Sequence, residues 1–360
     1  CNSDAICEIG GRTSTLSSVA ISQVLSSDFD HAEEKDRKIL VFTNSVQDAA
    51  YQAAFYEART FRFLFRQSMQ QYINSLDHPV NIAELHEGFK KYWKEKLSED
   101  DYYNRFLPAD LASHIDLRHN YREGKGYMES FKKEFDIRVD WDIVSEFGLT
   151  SQLGRTLEKT GSSATFFNSE DIHKVYELMK DFLVDNQLGY VADNEITFCH
   201  FVYGILQRMR RHGAVDHPYL YKYRNEALTL WALNWKFDGR HFLNKMFGGG
   251  VRFPKLIGVT YLDKNSEMLD MAALRREKPN WYTNYFWRHF NWPIERNITL
   301  YNDFIRELFF KMEEVGLVNK APQGGGNYVI NPDHIWVSKN VKHIKCSNCQ
   351  STLYVAKGDS

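Results

Sequence analysis

Apolar and polar positions follow a helical period over most of the chain. From about Phe61 to Glu146 the apolar and aromatic residues fall three and four apart, as in Phe89, Tyr92 and Trp93, with charge between them, which predicts amphipathic helices. A further helix is predicted from a cap near Ser169-Glu170-Asp171, and another from Ile196 to Arg211 that ends at the helix stop Gly213. A last one runs from Leu300 to Val315 and stops at Gly316. Strand signals are fewer. Lys38-Ile39-Leu40-Val41-Phe42 halts at Thr43-Asn44-Ser45 and passes into a helical segment through Tyr56, the half-unit of an α/β fold. Ala214-Val215 and Tyr219 to Tyr223 read as short strands. Leu317-Val318 leads through Gly324-Gly325-Gly326 to Tyr328-Val329-Ile330, a hairpin with a glycine-rich tip.

The expected fold is therefore mixed α/β and predominantly helical. Residues 1–35 form a cysteine-containing lead-in and linker, 36–75 a strand-helix edge, and 76–165 a helical linker region that closes on a stretch punctuated by Gly148, Gly154 and Gly161. Two helices and a small hairpin make 166–240 a winged-helix-like unit, and the pattern recurs at 298–340. Between them, in 241–297, Trp281, Tyr282, Tyr285, Phe286, Trp287, Phe290 and Trp292 crowd one stretch and read as a packing face rather than a base-stacking platform.

With 360 residues, 43% hydrophobic and 15% aromatic, the chain can bury a sizeable core in two or three compact units. A formal charge of -2 gives no global pull toward phosphate, so any nucleic-acid surface must come from local patches. Such patches are Arg208, Arg210, Arg211, His212, Lys222 and Arg224 in the first winged-helix-like unit, and Arg306, Lys311 and Lys320 in the second. Neither a long apolar run nor a secretory pattern is present, so a cytoplasmic protein without a membrane partner is expected. A first residue that is Cys1 rather than Met leads us to expect an internal segment of a longer protein.

Cys346-Ser347-Asn348-Cys349, in residues 341–360, is a C-x2-C pair in a basic context and has the spacing of a zinc knuckle. Cys1 and Cys7 could complete one structural zinc site with it, or each pair could find its partners outside this chain. Cys199 sits in an apolar helix and reads as core. The chain contains no G-x-x-x-x-G-K-S/T, no H-E-x-x-H and no G-x-S-x-G, so it carries no self-sufficient ATPase or hydrolase, and no catalytic residue is assigned.

The run Lys38 to Ala50 resembles the fourth conserved motif of superfamily 2 helicases, which opens the second RecA-like lobe. Its continuation Gln52 to Arg59, with Glu146-Phe147-Gly148 and Gly154-Arg155-Thr156-Leu157-Glu158-Lys159-Thr160-Gly161, is similar to the very large DEAD/DEAH-type helicases of bacterial phage-defence and DNA-modification gene clusters, of the Druantia DruE and DpdJ kind. The resemblance implies a partial RecA-like lobe interrupted by a helical and winged-helix insertion, with cysteine pairs flanking it. It also implies DNA, the remaining helicase lobes and other defence-system subunits as partners. ATP and magnesium would be held elsewhere in the parent protein, because the phosphate loop, the acidic metal-binding motif and the last arginine motif are missing. Gln152-Leu153-Gly154-Arg155 is one residue short of that last motif. Thr43, Asn44 and Ser45 would meet a nucleic-acid phosphate at the strand's carboxyl end, a role compatible with capping the helix that follows. The competing expectation is a winged-helix and zinc module that binds another protein and not DNA.

Overall fold

The computed structural model describes residues 46–107, 129–150, 156–216, 281–290, 298–320, 327–345 and 352–357, with two-residue strands at 236–237, 240–241, 257–258 and 269–270. The chain is mixed α/β and predominantly helical, with small sheets. No helix among the described residues is long and apolar enough to cross a membrane. The strand predicted at 38–42 and the strand predicted at 219–223 lie outside the described residues.

The chain divides into two compact units. The first comprises residues 1–71 and 96–129. Helix α1 (Val46–Ser75) begins there. After β1 (Val80–Asn81) and α2 (Ile82–Lys94), both of the second unit, the chain returns to it as α3 (Glu99–Phe106). Ser98 caps α3, accepting the Asp101 amide at 3.2 Å and donating its hydroxyl to the Asp101 carboxylate at 2.6 Å. Phe106 meets Phe65 edge-on at 6.3 Å, and Tyr102 packs on Phe106 at 5.2 Å.

In the second unit, α4 (Glu129–Gly148) is buried at every position from Arg138 to Gly148, with no polar face. A helix sunk this deeply must neutralise its own charges. Arg138 donates to Asp142 one turn on at 3.0 Å, and Glu146 accepts the Leu157 amide at 2.7 Å. After β2 (Ala164–Phe166) come α5 (Ser169–Asp185), the single turn α6 (Gly189–Ala192) and α7 (Glu195–Arg211). The cap of α5 is Asn168, one residue before the expected position, accepting the Glu170 amide at 2.9 Å. Beyond the two-residue strands β3 (Lys236–Phe237), β4 (Arg240–His241), β5 (Ile257–Gly258) and β6 (Leu269–Asp270) lie α8 (Trp281–Phe290) and α9 (Ile298–Val315).

Helices α7 and α9 stop in the same way. Gly213 and Gly316 each adopt φ +87°, and the amide after each glycine returns to the carbonyl five residues back, Ala214 to Met209 at 3.0 Å and Leu317 to Met312 at 2.9 Å. Both glycines were read from the sequence as helix stops. Helix α5 uses the same closure with Gln187 at φ 61°, which no glycine announced.

From Gly316 the chain enters β7 (Val318–Lys320), which pairs with β8 (Asn327–Ile330) as the expected hairpin. Val215 bridges Ile330, and the Ile330 amide donates to Ala214 at 2.9 Å, so the segment after α7 joins the hairpin that follows α9. The helices do the same. Phe304 of α9 meets Phe182 of α5, Phe198 and Phe201 of α7, and Phe286 and Phe290 of α8, with centroids 5.1 to 6.4 Å apart. The elements that the sequence divides between two winged-helix-like units thus share one aromatic core. A short 3₁₀ turn (Pro332–His334) leads into β9 (Trp336–Ser338), the middle strand of a sheet ordered β1, β9, β2. The chain then forms an antiparallel ribbon, β10 (Val341–Lys345) with β11 (Thr352–Ala356).

Truncating the hub side chain in Phe304→Ala should cost about 3–5 kcal/mol. Native-state hydrogen exchange should show amide protection falling together in α5, α7 and α9. Protection lost in α9 alone would mean that the helices do not share a core.

Candidate nucleic-acid interface

The basic end of α7 is built by the helix itself. Asn194 caps its start by accepting the Thr197 amide at 3.1 Å, Glu195 occupies the first turn, and Arg208, Arg210 and Arg211 occupy the last, where cations complement the helix dipole. The three arginines have different fates. Arg210 is fully buried. Its guanidinium grips Glu158 through Nη2 at 2.7 and 3.0 Å, donates from Nε and Nη2 to the Gln207 Oε1 at 2.9 and 2.7 Å, and donates from Nη1 to the Phe147 carbonyl. Glu158 also accepts the Thr165 hydroxyl at 3.0 Å. A phosphate in solvent cannot reach Arg210, so the expectation that it faces nucleic acid is corrected. Alternating charge on a helix end does not reveal which cation the core has claimed.

Arg208 lies half-buried with its guanidinium 4.8 Å from the Trp281 ring centroid. Trp281 stacks on Tyr285 at 4.7 Å and 14°, and Tyr285 on Phe201 at 5.3 Å and 9°. Phe201, Gly204 and Arg208 form one stripe of α7, and the Tyr285 ring fills the space above Gly204, where a Cβ would lie 2.1 Å from the tyrosine hydroxyl. Two rings of α8 thus interleave with one ring and one guanidinium of α7. Burial pushes the Tyr285 hydroxyl up to about 12 and raises that of Tyr282 further. Tyr282, Phe286 and Phe290 are buried, in keeping with a packing face, whereas Trp281 stays 38% exposed. The spacing of Phe201, Gly204 and Arg208 was the available signal for this ladder. It becomes legible only once the partner helix is known.

Arg211 and His212 are half-buried. Lys222 and Arg224 lie outside the described residues, as do Thr43, Asn44 and Ser45. The cations of the second expected patch are balanced by neighbours: Arg306 by Asp303 at 3.8 Å, Lys311 by Glu314 at 3.2 Å and Lys320 by Glu313 at 3.0 Å. Exposed pairs of this kind are worth little in stability, but they cancel local charge. The patch therefore has less pull on an anion than its composition suggests.

The four cysteines assigned to zinc, Cys1, Cys7, Cys346 and Cys349, lie outside the described residues, and among the described residues no group of three or more His, Cys, Asp or Glu side chains could hold a metal ion. Lys345 and Thr352 are the last paired residues of the β10–β11 ribbon, and the chain between them carries Cys346 and Cys349. Cys199 is a half-buried free thiol, raised by burial and by Glu195. Comparison of the chain with protein-family models, with curated proteins and with solved structures gives no match.

Burial would raise the Glu158 carboxyl, but the charge and hydrogen bonds of Arg210 outweigh it and hold the group below its usual value of 4.5. A carboxylate with a depressed folded pKa contributes stability that is present above the unfolded value and lost as pH falls through the folded one. The chain should therefore lose stability as pH drops below about 4.5. Glu158→Gln should flatten that acid limb and, by leaving Arg210 charged and unpaired in the core, cost about 3–5 kcal/mol at neutral pH. Urea denaturation across pH 3–7, with an unchanged acid limb in the variant, would refute the assignment.

Proposed function

We propose that this chain is a non-catalytic region of an ATP-dependent DNA helicase or translocase of superfamily 2, serving in phage defence or DNA modification. It would contribute nucleic-acid contacts and a structural zinc while the motor residues lie elsewhere in the parent protein. The observation that carries the nucleic-acid part is the arrangement around α7. A helix, a bridging segment at Ala214–Asp216, two further helices and a hairpin share one core, in the order of a winged helix, and the last turn of α7 carries Arg208 and Arg211, both half-buried. Cations at a helix end position a phosphate backbone without reading its sequence. The helicase part rests on the resemblance of the Lys38 to Arg59 run, and the zinc on a C-x2-C pair joining the strands of an antiparallel ribbon.

One observation favours the alternative of a protein-binding module. Val184, Tyr190 and Ile196, within one short stretch of sequence, are 62%, 53% and 70% exposed, and such side chains have no use in contacting phosphate.

Fluorescence anisotropy of the 360-residue chain with single-stranded, duplex and forked DNA across a salt series separates the two. Affinity that falls steeply with salt, and is weakened by Arg208→Glu with Arg211→Glu while Arg210 is left in place, is the expected result. Absence of binding to every DNA form by the folded chain would transfer the assignment to the protein-binding module.

A further inference from the structure

The β10–β11 ribbon is not explained by packing. A strand that serves a core alternates buried and exposed residues. In β10 only Val341 is partly covered, and Lys342, His343, Ile344 and Lys345 are exposed in succession, so both faces of the strand meet solvent. Ile344 is 47% exposed in the middle of it. The ribbon is anchored from its other strand, where the Tyr354 ring lies against Gly161, at φ +73°, so closely that a Cβ there would sit 2.5 Å from the ring. One strand holds the ribbon to the body and the other is free.

The free strand is cationic on both faces. From His334 to Gly358 the chain contains Lys339, Lys342, Lys345 and Lys357 and neither an aspartate nor a glutamate, in a protein whose formal charge is -2. Lys339 is committed to the carbonyls of Asn74 and Leu76, at 2.9 and 2.7 Å. Among the described residues Lys342 and Lys345 pair with no carboxylate. Lysines on an edge strand also keep sheets from pairing, but glutamates serve that purpose as well, and this segment carries cations alone. Side chains alternate along a strand, so Lys342 and Lys345, three apart, project from opposite faces.

We propose that the β10–β11 ribbon is a second nucleic-acid contact, entering a groove of duplex DNA with β10 leading, so that Lys342 and Lys345 each meet one of the two phosphate walls. The major groove, about 12 Å wide, admits a two-stranded ribbon. Five paired positions give this ribbon about 17 Å of length. Base stacking and single-strand binding have little support on this surface, because the exposed residues of β10 include no Phe, Tyr or Trp and a single imidazole, His343. The proposal extends the nucleic-acid reading of α7 but rests on a different element and a different set of cations.

The test is the salt dependence of duplex DNA binding by the 360-residue chain and by two charge-reversed variants, Lys342→Glu with Lys345→Glu and Arg208→Glu with Arg211→Glu. Each phosphate contact contributes about 0.9 to the slope of log K against log salt, so the ribbon variant should lower that slope by about two. An unchanged slope in the ribbon variant overturns the proposal while leaving the α7 reading to stand on its own variant. Loss of binding in the ribbon variant alone would support the ribbon and remove α7 from the interface. A second measurement does not depend on the variants folding: lysine acetylation of the unaltered chain should be slowed at Lys342 and Lys345 by bound duplex. Equal labelling of both lysines with and without DNA overturns the proposal.

Discussion

The second unit depends on where the Arg210 charge goes. Its guanidinium sits in the core and joins three pieces of chain that are far apart in sequence: the end of α4 through the Phe147 carbonyl, the turn before β2 through Glu158, and α7 through Gln207. An unpaired cation there would cost several kcal/mol, so these pieces are held in one arrangement or the charge is not tolerated at all. Glu146, accepting the Leu157 amide, repeats the connection one residue from Glu158. The turn that follows Glu158 can then present Gly161 to Tyr354, and β2 can pair with β9. The buried pair offers less in net stability than its short distances suggest, because both ions were desolvated to make it. Its contribution is to specify which segments meet.

That arrangement explains why the helices were easier to read than their assembly. Local rules acted locally: Gly213 and Gly316 stop their helices, and the hairpin after Gly316 pairs as its apolar runs indicate. Gln187 closes α5 in the same left-handed conformation without the residue that would signal it, so that helix end had no local mark. The merging of the two winged-helix-like stretches was invisible for another reason. Phe304 is an ordinary apolar position of an amphipathic helix until its five aromatic partners, contributed by three other helices, are known.

Charge was the least legible property of the site. Arg208, Arg210 and Arg211 are near neighbours in sequence, yet one stacks on a tryptophan, one is entombed with a glutamate and one stands half-buried with its field still felt at Glu158. Helical geometry alone separates them: a step of two residues turns a side chain through about 200°, so Arg208 and Arg210 point away from each other. A basic run on a helix therefore counts as one or two solvent cations, not three. On α9 and β7 the count falls again, because acids of α9, one turn away or near the helix end that precedes β7, take up Arg306, Lys311 and Lys320.

The β10–β11 ribbon shows the opposite case, in which a short basic context beside a cysteine pair was read only as the setting of a zinc knuckle. In a helix, (i, i+4) acids can neutralise lysines within a turn, whereas on a free edge strand the nearest same-face positions are two residues away and the cross-strand partner is fixed by register. Here those partners are Val355 for Lys342 and Thr352 for Lys345, neither of which carries a negative charge to balance an ammonium. The lysines of β10 consequently keep their field in solvent, on a strand exposed at four of its five positions, in a chain whose net charge is negative. For a polyanion, whose attraction grows with the number of phosphates met by uncompensated cations, that placement matters more than the overall charge of the chain.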